Sequence, residues 1–262
     1  MGIRISPGFT IIETMLFLAV TGLLIMGVLI GTGNTLNTQR YRDSVESFKN
    51  LLQSQYADLG SVRNDRSNTW NCDSTAKPIV GGTVIRGQSD CVIVGKYLRI
   101  DKGDVTIHTV LARKTGTGTG TDIQKLDANY AYNVSSAEVE KRSMEWGAQI
   151  AWPKSGMGAQ SPTTPRTLGI FIVRSPDSGS IYTFTSNSVP AVDSVNQATF
   201  TSIIAAGTGI PGQGERRICV VSSGLSPSGD MAIVIGGYAA STSAIEVQSN
   251  DFMKSVGGSP QC

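Results

Sequence analysis

Apolar residues run almost unbroken from Phe9 to Gly33, FTIIETMLFLAVTGLLIMGVLIGTG, and then give way to a one-sided pattern. Beyond that run the apolar positions are Tyr41, Val45, Phe48, Leu52, Tyr56 and Leu59, at spacings of four, three, four, four and three. Those steps return to one face of a 3.6-residue helix, and Arg40, Arg42, Asp43, Glu46, Lys49 and Asp58 flank it. No proline interrupts residues 9–59, and Gly60 is a stop signal. The pattern predicts one helix over 9–60, roughly 75 Å long at about 1.5 Å per residue. Its first half, 9–33, is apolar all round, and a run of roughly 20 residues or more is long enough to cross a bilayer. Its second half, 34–60, is amphipathic and calls for a globular domain laid against one side.

After Gly60 the period shortens. Apolar runs separated by turn residues predict strands at 79–86, 91–100, 104–113, 143–152, 167–174, 180–186, 216–222, 231–236 and 244–248. The clearest hairpin joins 168–174 to 180–185 through Ser175-Pro176-Asp177-Ser178-Gly179. Within 143–152 the alternation places Met144, Trp146, Ala148, Ile150 and Trp152 on one face. Ser135 and Glu138 have the spacing of a capping box, which predicts a short helix over 137–142. The Gly-Thr repeat over 115–121 reads as a flexible surface loop, and 154–166 as a second loop rich in Gly, Pro, Ser and Thr. The expected fold is α+β, with a long N-terminal helix whose second half packs on an antiparallel sheet. The corresponding divisions are 1–8, 9–60 and a β-rich domain over 61–262.

Composition narrows the class. Of the 262 residues 40% are hydrophobic, which argues against a largely disordered chain. The net charge of +2 is too small to point to nucleic acid as the main partner. The cysteines are Cys72, Cys91, Cys219 and Cys262, an even number with no C-x-x-C pair, which fits disulfides better than zinc. Pairing of neighbours gives Cys72–Cys91 and Cys219–Cys262, one of three connectivities open to four cysteines. Disulfides place the domain in an oxidising, extracytoplasmic space.

Two features of the N-terminus carry more information. Residues 1–8, MGIRISPG, form a short, slightly basic leader. No small-residue cleavage site of the secretory type closes the apolar run, so any processing precedes it. Glu13 then stands inside the run, where an acidic residue costs about 2.5–3.5 kcal/mol at a helix centre and less near an end. Cleavage after Gly8 would supply a partner, the new α-amino group of Phe9. Arg40 and Arg42 follow the apolar run while Arg4 precedes it, so flanking charge alone does not set the orientation. Gly27 and Gly31 form a G-x-x-x-G that allows close helix packing.

The string Gly8-Phe9-Thr10-Ile11-Ile12-Glu13, behind a basic leader and ahead of an apolar helix, resembles the prepilin peptidase site of type IV pilins and type II secretion pseudopilins. The resemblance covers about residues 1–60. It implies cleavage between Gly8 and Phe9, N-methylation of Phe9, and a role for Glu13 in subunit docking. Its partners would be other pilin subunits, a prepilin peptidase, a membrane assembly machine and the lipid bilayer. The protein would be single-pass in the membrane before assembly and part of a cell-surface filament afterwards. A minor pilin or secretion pseudopilin is the neighbouring reading. A membrane-anchored extracellular binding domain that never polymerises is the alternative of a different class.

Catalytic patterns give little to set against this. The single histidine, His108, falls in the 104–113 strand, and Asp177-Ser178-Gly179 falls in a turn where those residues are ordinary. No H-E-x-x-H, Walker loop or nucleophile elbow occurs, and no metal or cofactor is expected. Asp101 and Asp104 are too few for calcium. Arg63, Arg66, Arg216 and Arg217 read as solvated surface charge, and Asn133-Val134-Ser135 is an acceptor sequon.

Overall fold

The computed structural model describes residues 10–61, 70–81, 89–152, 167–187, 189, 195–208, 216–222, 231–237, 239–249 and 262. Helix α1, Ile11–Gly60, is continuous over 50 residues. Thr10 caps its start, its Oγ1 accepting from the Glu13 N–H at 3.3 Å. At its end the Ser61 N–H reaches the Ala57 carbonyl at 3.1 Å.

The strands are β1 Trp70–Cys72, β2 Pro78–Val80, β3 Cys91–Asp101, β4 Asp104–Lys114, β5 Tyr130–Ser143 and β6 Ala148–Ala151. They continue with β7 Thr167–Arg174, β8 Ile181–Ser186, β9 Arg216–Ser222, β10 Met231–Ile235 and β11 Ile245–Ser249. Helix α2, Asp122–Asn129, precedes β5, and α3, Gln197–Thr208, precedes β9. The described strands form a five-stranded sheet ordered β5-β4-β3-β7-β8, a four-stranded sheet ordered β11-β10-β9-β6, and the β1–β2 hairpin. Every pairing is antiparallel. Where β3 bulges between Ile93 and Gly95, a Cβ on Gly95 would lie 2.2 Å from the Ile172 carbonyl oxygen, so only glycine allows β7 this close.

Two cores flank the five-stranded sheet. On one face, Leu98 and Ile100 of β3, Val105 and Ile107 of β4 and Leu168, Ile170 and Ile172 of β7 meet the second half of α1 and the four-stranded sheet. On the other, Tyr97, Val110, Tyr132 and Phe171 pack with Leu126 of α2 and Phe200, Ile203 and Ile204 of α3. Two disulfides are present, Cys72–Cys91 and Cys219–Cys262. The first ties the β1–β2 hairpin to the start of β3, and the second ties the last residue to β9.

Several expectations need correction. Residues 137–142 belong to β5, not to a helix. Ile107 faces Glu140 and Asp104 faces Ser143 across the ladder, and this cross-strand pairing outweighs the Ser135/Glu138 spacing. β5 is an edge strand, a position that tolerates the charges of Glu140, Lys141 and Arg142. The 143–152 strand is shortened by a 3₁₀ turn, Glu145–Gly147. Met144, Ala148, Ile150 and Trp152 are buried together as the alternation predicts, but Trp146 points out and is 52% exposed. The Gly-Thr segment is an exposed loop, yet it is held in place. Thr115 and Gly116 N–H groups bond the Asn129 carbonyl, and Gly118 exchanges hydrogen bonds with the Asn129 side chain at 2.7 and 2.8 Å. Of the 79–86 expectation, the strand covers Pro78–Val80, and residues 82–86 lie outside the described residues, as do 154–166.

Candidate functional site

The candidate site is α1 itself, whose two halves meet different surroundings. From Ile11 to Arg40 no side chain is buried, and the most apolar eighteen-residue window, mean hydropathy 2.3, has none of its residues covered by the rest of the chain. By length and composition this stretch can cross a membrane. The hydroxyls within it are satisfied internally. Thr14 donates to the Ile11 carbonyl at 2.9 Å, Thr21 to Phe17 at 2.8 Å, Thr32 to Val28 at 2.9 Å and Thr35 to Gly31 at 3.0 Å. In hydrocarbon each unsatisfied polar group costs several kcal/mol, so these back-bonds suit the helix to lipid.

Glu13 is the only charged residue of α1 before Arg40. It sits in the first turn, where the exposed N–H groups and the helix dipole favour a negative charge. Gly8 and Phe9, the residues of the expected processing site, lie outside the described residues. Gly27 and Gly31 face open space, with no atom within 4 Å of an added Cβ.

From Tyr41 onward the helix is embedded. Tyr41, Val45, Phe48, Leu52, Tyr56 and Leu59 are all buried, and each such apolar side chain contributes about 1.5–3 kcal/mol. The two tyrosines also place their hydroxyls. Tyr41 donates to the Val220 carbonyl at 2.8 Å and accepts from the Met231 N–H at 3.2 Å, which joins α1 to β9 and β10. Tyr56 Oη lies 2.7 Å from Thr183 Oγ1, which donates to the Ala239 carbonyl, so Tyr56 donates to Thr183 on β8. Burial pushes the Tyr56 phenol up to about 12. The helix is therefore bonded to both sheets and cannot tilt independently of them.

The residues considered for chemistry are dispersed. His108 is 1% exposed in the middle of β4, opposite Tyr97 on one side and Val139 on the other. Burial pulls its imidazole below the ordinary value, with the Arg99 charge adding to the effect and a hydrogen bond with the Ser135 backbone opposing it. Ser178 is engaged elsewhere, donating to Asp122 at the start of α2 at 2.5 Å, while Asp177 accepts from Tyr130 Oη at 2.9 Å. Those bonds fasten the β7–β8 turn to α2 and to the start of β5. Asp101 pairs with Arg99 at 3.3 Å, and among the described residues no group of three His, Cys, Asp or Glu side chains is placed to hold a metal ion. Arg216 is not the solvated charge expected. It lies 4.8 Å from the Trp152 ring centroid, and burial lowers its guanidinium to about 10. Arg217 is half-buried, and Arg63 and Arg66 lie outside the described residues. Asn133 stands within β5, its side-chain oxygen accepting from the Val134 N–H.

Two features escaped the sequence reading. Trp146 lies 4.8 Å from the Arg40 guanidinium, a cation–π contact at the point where α1 enters its domain. Thr121 and Gln124 form a complete capping box that starts α2, and their T-x-x-Q spacing was visible in the sequence beneath the Gly-Thr repeat. No family model, no curated protein and no solved structure matches the chain.

Proposed function

We propose that this chain is a structural subunit of a type IV pilus-like filament, held in the membrane by α1 after leader cleavage and polymerised through the same helix. One observation carries the reading. About thirty residues of α1 are free of their own domain, and those up to Gly33 are apolar around the full circumference, with a single carboxylate in the first turn. A soluble chain would leave that surface in water, where burial of apolar area is favourable by roughly 25 cal/mol per Å². Lipid and neighbouring copies of the same helix are the two environments that remove it, and a filament subunit uses both in turn.

Glu13 fits the second environment. Paired with the α-amino group of a neighbouring Phe9, it would set the stagger between subunits by charge neutralisation. The leader MGIRISPG and the Gly8-Phe9 junction support the processing that creates this amine. A chain of this size, about 250 residues once processed, also suits a minor pilin or a secretion pseudopilin.

The test is the mass of the N-terminal peptide of native protein from a membrane or sheared-filament fraction. A peptide that starts at Phe9 with one added methyl group is the expected result. A peptide that starts at Met1 or Gly2 would overturn the proposal in favour of a membrane-anchored binding domain.

A further inference from the structure

We infer that Trp146 and the arginines Arg40 and Arg42 form a collar that docks the globular domain on the headgroup layer of the membrane, with anionic phospholipid as its ligand. The inference rests on the reading of α1 as membrane-spanning.

Position along the helix comes first. A hydrocarbon core of about 30 Å takes roughly 20 helical residues at 1.5 Å each. Counted from Met15, just inside Glu13 and Thr14, that reaches Asn34. Arg40 then stands about 9 Å beyond the hydrocarbon edge, at the depth of the lipid phosphates. Arg40 and Arg42 are both exposed.

Trp146 is brought to that level from a distant part of the chain. It sits on the 3₁₀ turn Glu145–Gly147 with φ 56 and ψ 27, a left-handed conformation unusual for a bulky residue. The turn is held from both sides. The Met144 N–H bonds the Gly103 carbonyl at 2.8 Å, and the Ile150 N–H bonds the Lys102 carbonyl at 2.9 Å. Gly103 makes this possible, because a Cβ there would come within 2.6 Å of the Ala148 carbonyl oxygen. Surroundings that over-determine an unfavourable backbone keep a side chain where folding alone would not leave it. Here that side chain is a tryptophan, 52% exposed, with its ring 4.8 Å from the Arg40 guanidinium.

A half-exposed indole beside a guanidinium, about 9 Å above a membrane span, has the chemistry of the interface. The ring is amphipathic and favours headgroup depth, and the arginines meet phosphate. Two acidic residues lie near, and neither removes the surplus of positive charge: Asp43, exposed beside Arg42, is one carboxylate against two guanidinium groups, and Glu145 is held away from them. Glu145 accepts from Ser47 Oγ at 3.1 Å, so its carboxylate is directed up the helix, seven residues beyond Arg40. The surface is also continuous with α1, so lipid already packed on the span meets it without a further encounter.

The test uses the full chain in vesicles of mixed phosphatidylcholine and phosphatidylglycerol. Tryptophan emission is quenched by lipids brominated close to the headgroup, for the parent and for Trp146→Phe, in which Trp70 and Trp152 serve as the constant background. The parent is expected to lose emission that Trp146→Phe does not. In Arg40→Gln and Arg42→Gln, the preference for brominated phosphatidylglycerol over brominated phosphatidylcholine is expected to fall by roughly fivefold per arginine. Protein that floats with the vesicles but quenches like Trp146→Phe overturns the collar and leaves the membrane span intact. Shielding of Trp146 that develops only as the protein-to-lipid ratio rises overturns it in favour of a second copy of the chain. Protein that does not float with the vesicles overturns the spanning reading and the collar together.

Discussion

Residues on either side of Arg40 share one unbroken helix, with no proline and no kink-forming cap between them, yet their surroundings are opposite. Leu24 is 64% exposed, whereas Leu52, the same residue type, is 1% exposed. Backbone propensity does not separate them, since leucine is a good helix former in both places. What separates them is whether the apolar positions fill the circumference or one stripe. A stripe finds a sheet within its own chain. A full circumference needs more partners than one small domain can wrap around it, and so it is left to lipid or to other chains.

The largest expected effect comes from truncating the stripe. Phe48→Ala should destabilise the domain by about 3–5 kcal/mol, while Leu24→Ala should stay within about 0.5 kcal/mol. Denaturation of the full chain in mild detergent, followed by near-ultraviolet circular dichroism, reads both. Flotation with vesicles should respond in the opposite sense, insensitive to Phe48→Ala and impaired by Leu24→Lys, whose charge costs about 2.5–3.5 kcal/mol on insertion. If Leu24→Ala were as damaging to the domain as Phe48→Ala, the first half of α1 would be folded back on its own chain and the contrast would fail.

The disulfides sharpen the same contrast, because both lie wholly in the globular part. Loop closure ranks them by separation, 43 residues for Cys219–Cys262 and 19 for Cys72–Cys91. Replacing the longer-range pair by alanines should cost about 4 kcal/mol and the shorter-range pair about 3 kcal/mol. Neither should change flotation. An inverted order in equilibrium unfolding would show that the reduced, unfolded chain keeps structure around Cys219, so that the cross-link removes less freedom than the loop length implies.

How much of this was legible depends on how far each element relies on its own residues. The helix, its stripe and most strands follow from periodicity, because burial on one face writes itself into the order of side chains. The elements misread are those decided by partners distant in the chain. Residues 137–142 carry a local capping pattern, but the ladder with β4 overrides it. Trp146 fits the alternation of its neighbours, and only the hydrogen bonds from the β3–β4 turn to Met144 and Ile150 turn it outward. Helix α3, QATFTSIIAAGT, is rich in β-branched residues, which lower helix propensity and weaken its local signal. Its start is nevertheless marked, since Asn196 Oδ1 accepts from the Thr199 N–H at 3.3 Å. For the candidate site, Glu13 and the apolar run were visible at once, whereas the Arg40–Trp146 contact joins residues 106 positions apart and carries no local signal.

The smallest expected effect is a pH dependence confined to the globular part. His108 is buried opposite Tyr97 on β3, with Arg99 close enough to oppose a second positive charge and the Ser135 backbone offering the only counter-effect. Its folded-state value is therefore depressed below the ordinary imidazole value of 6.5. A depressed base binds fewer protons folded than unfolded, so stability rises with pH across the interval between the two values. The domain should hold its full stability above pH 6.5 and lose it on acidification below that, at no more than about 1.4 kcal/mol per pH unit for this one group. His108→Gln should lower the plateau through imperfect packing but flatten the slope just below pH 6.5, where carboxylates are still ionised. Denaturant melts of parent and variant at a series of pH values measure the slope directly. An unchanged slope in the variant would place the acid sensitivity in other groups. Vesicle flotation over the same interval should remain flat, because His108 is buried within the globular part and the first half of α1 is not, and the two halves of the helix would again respond separately.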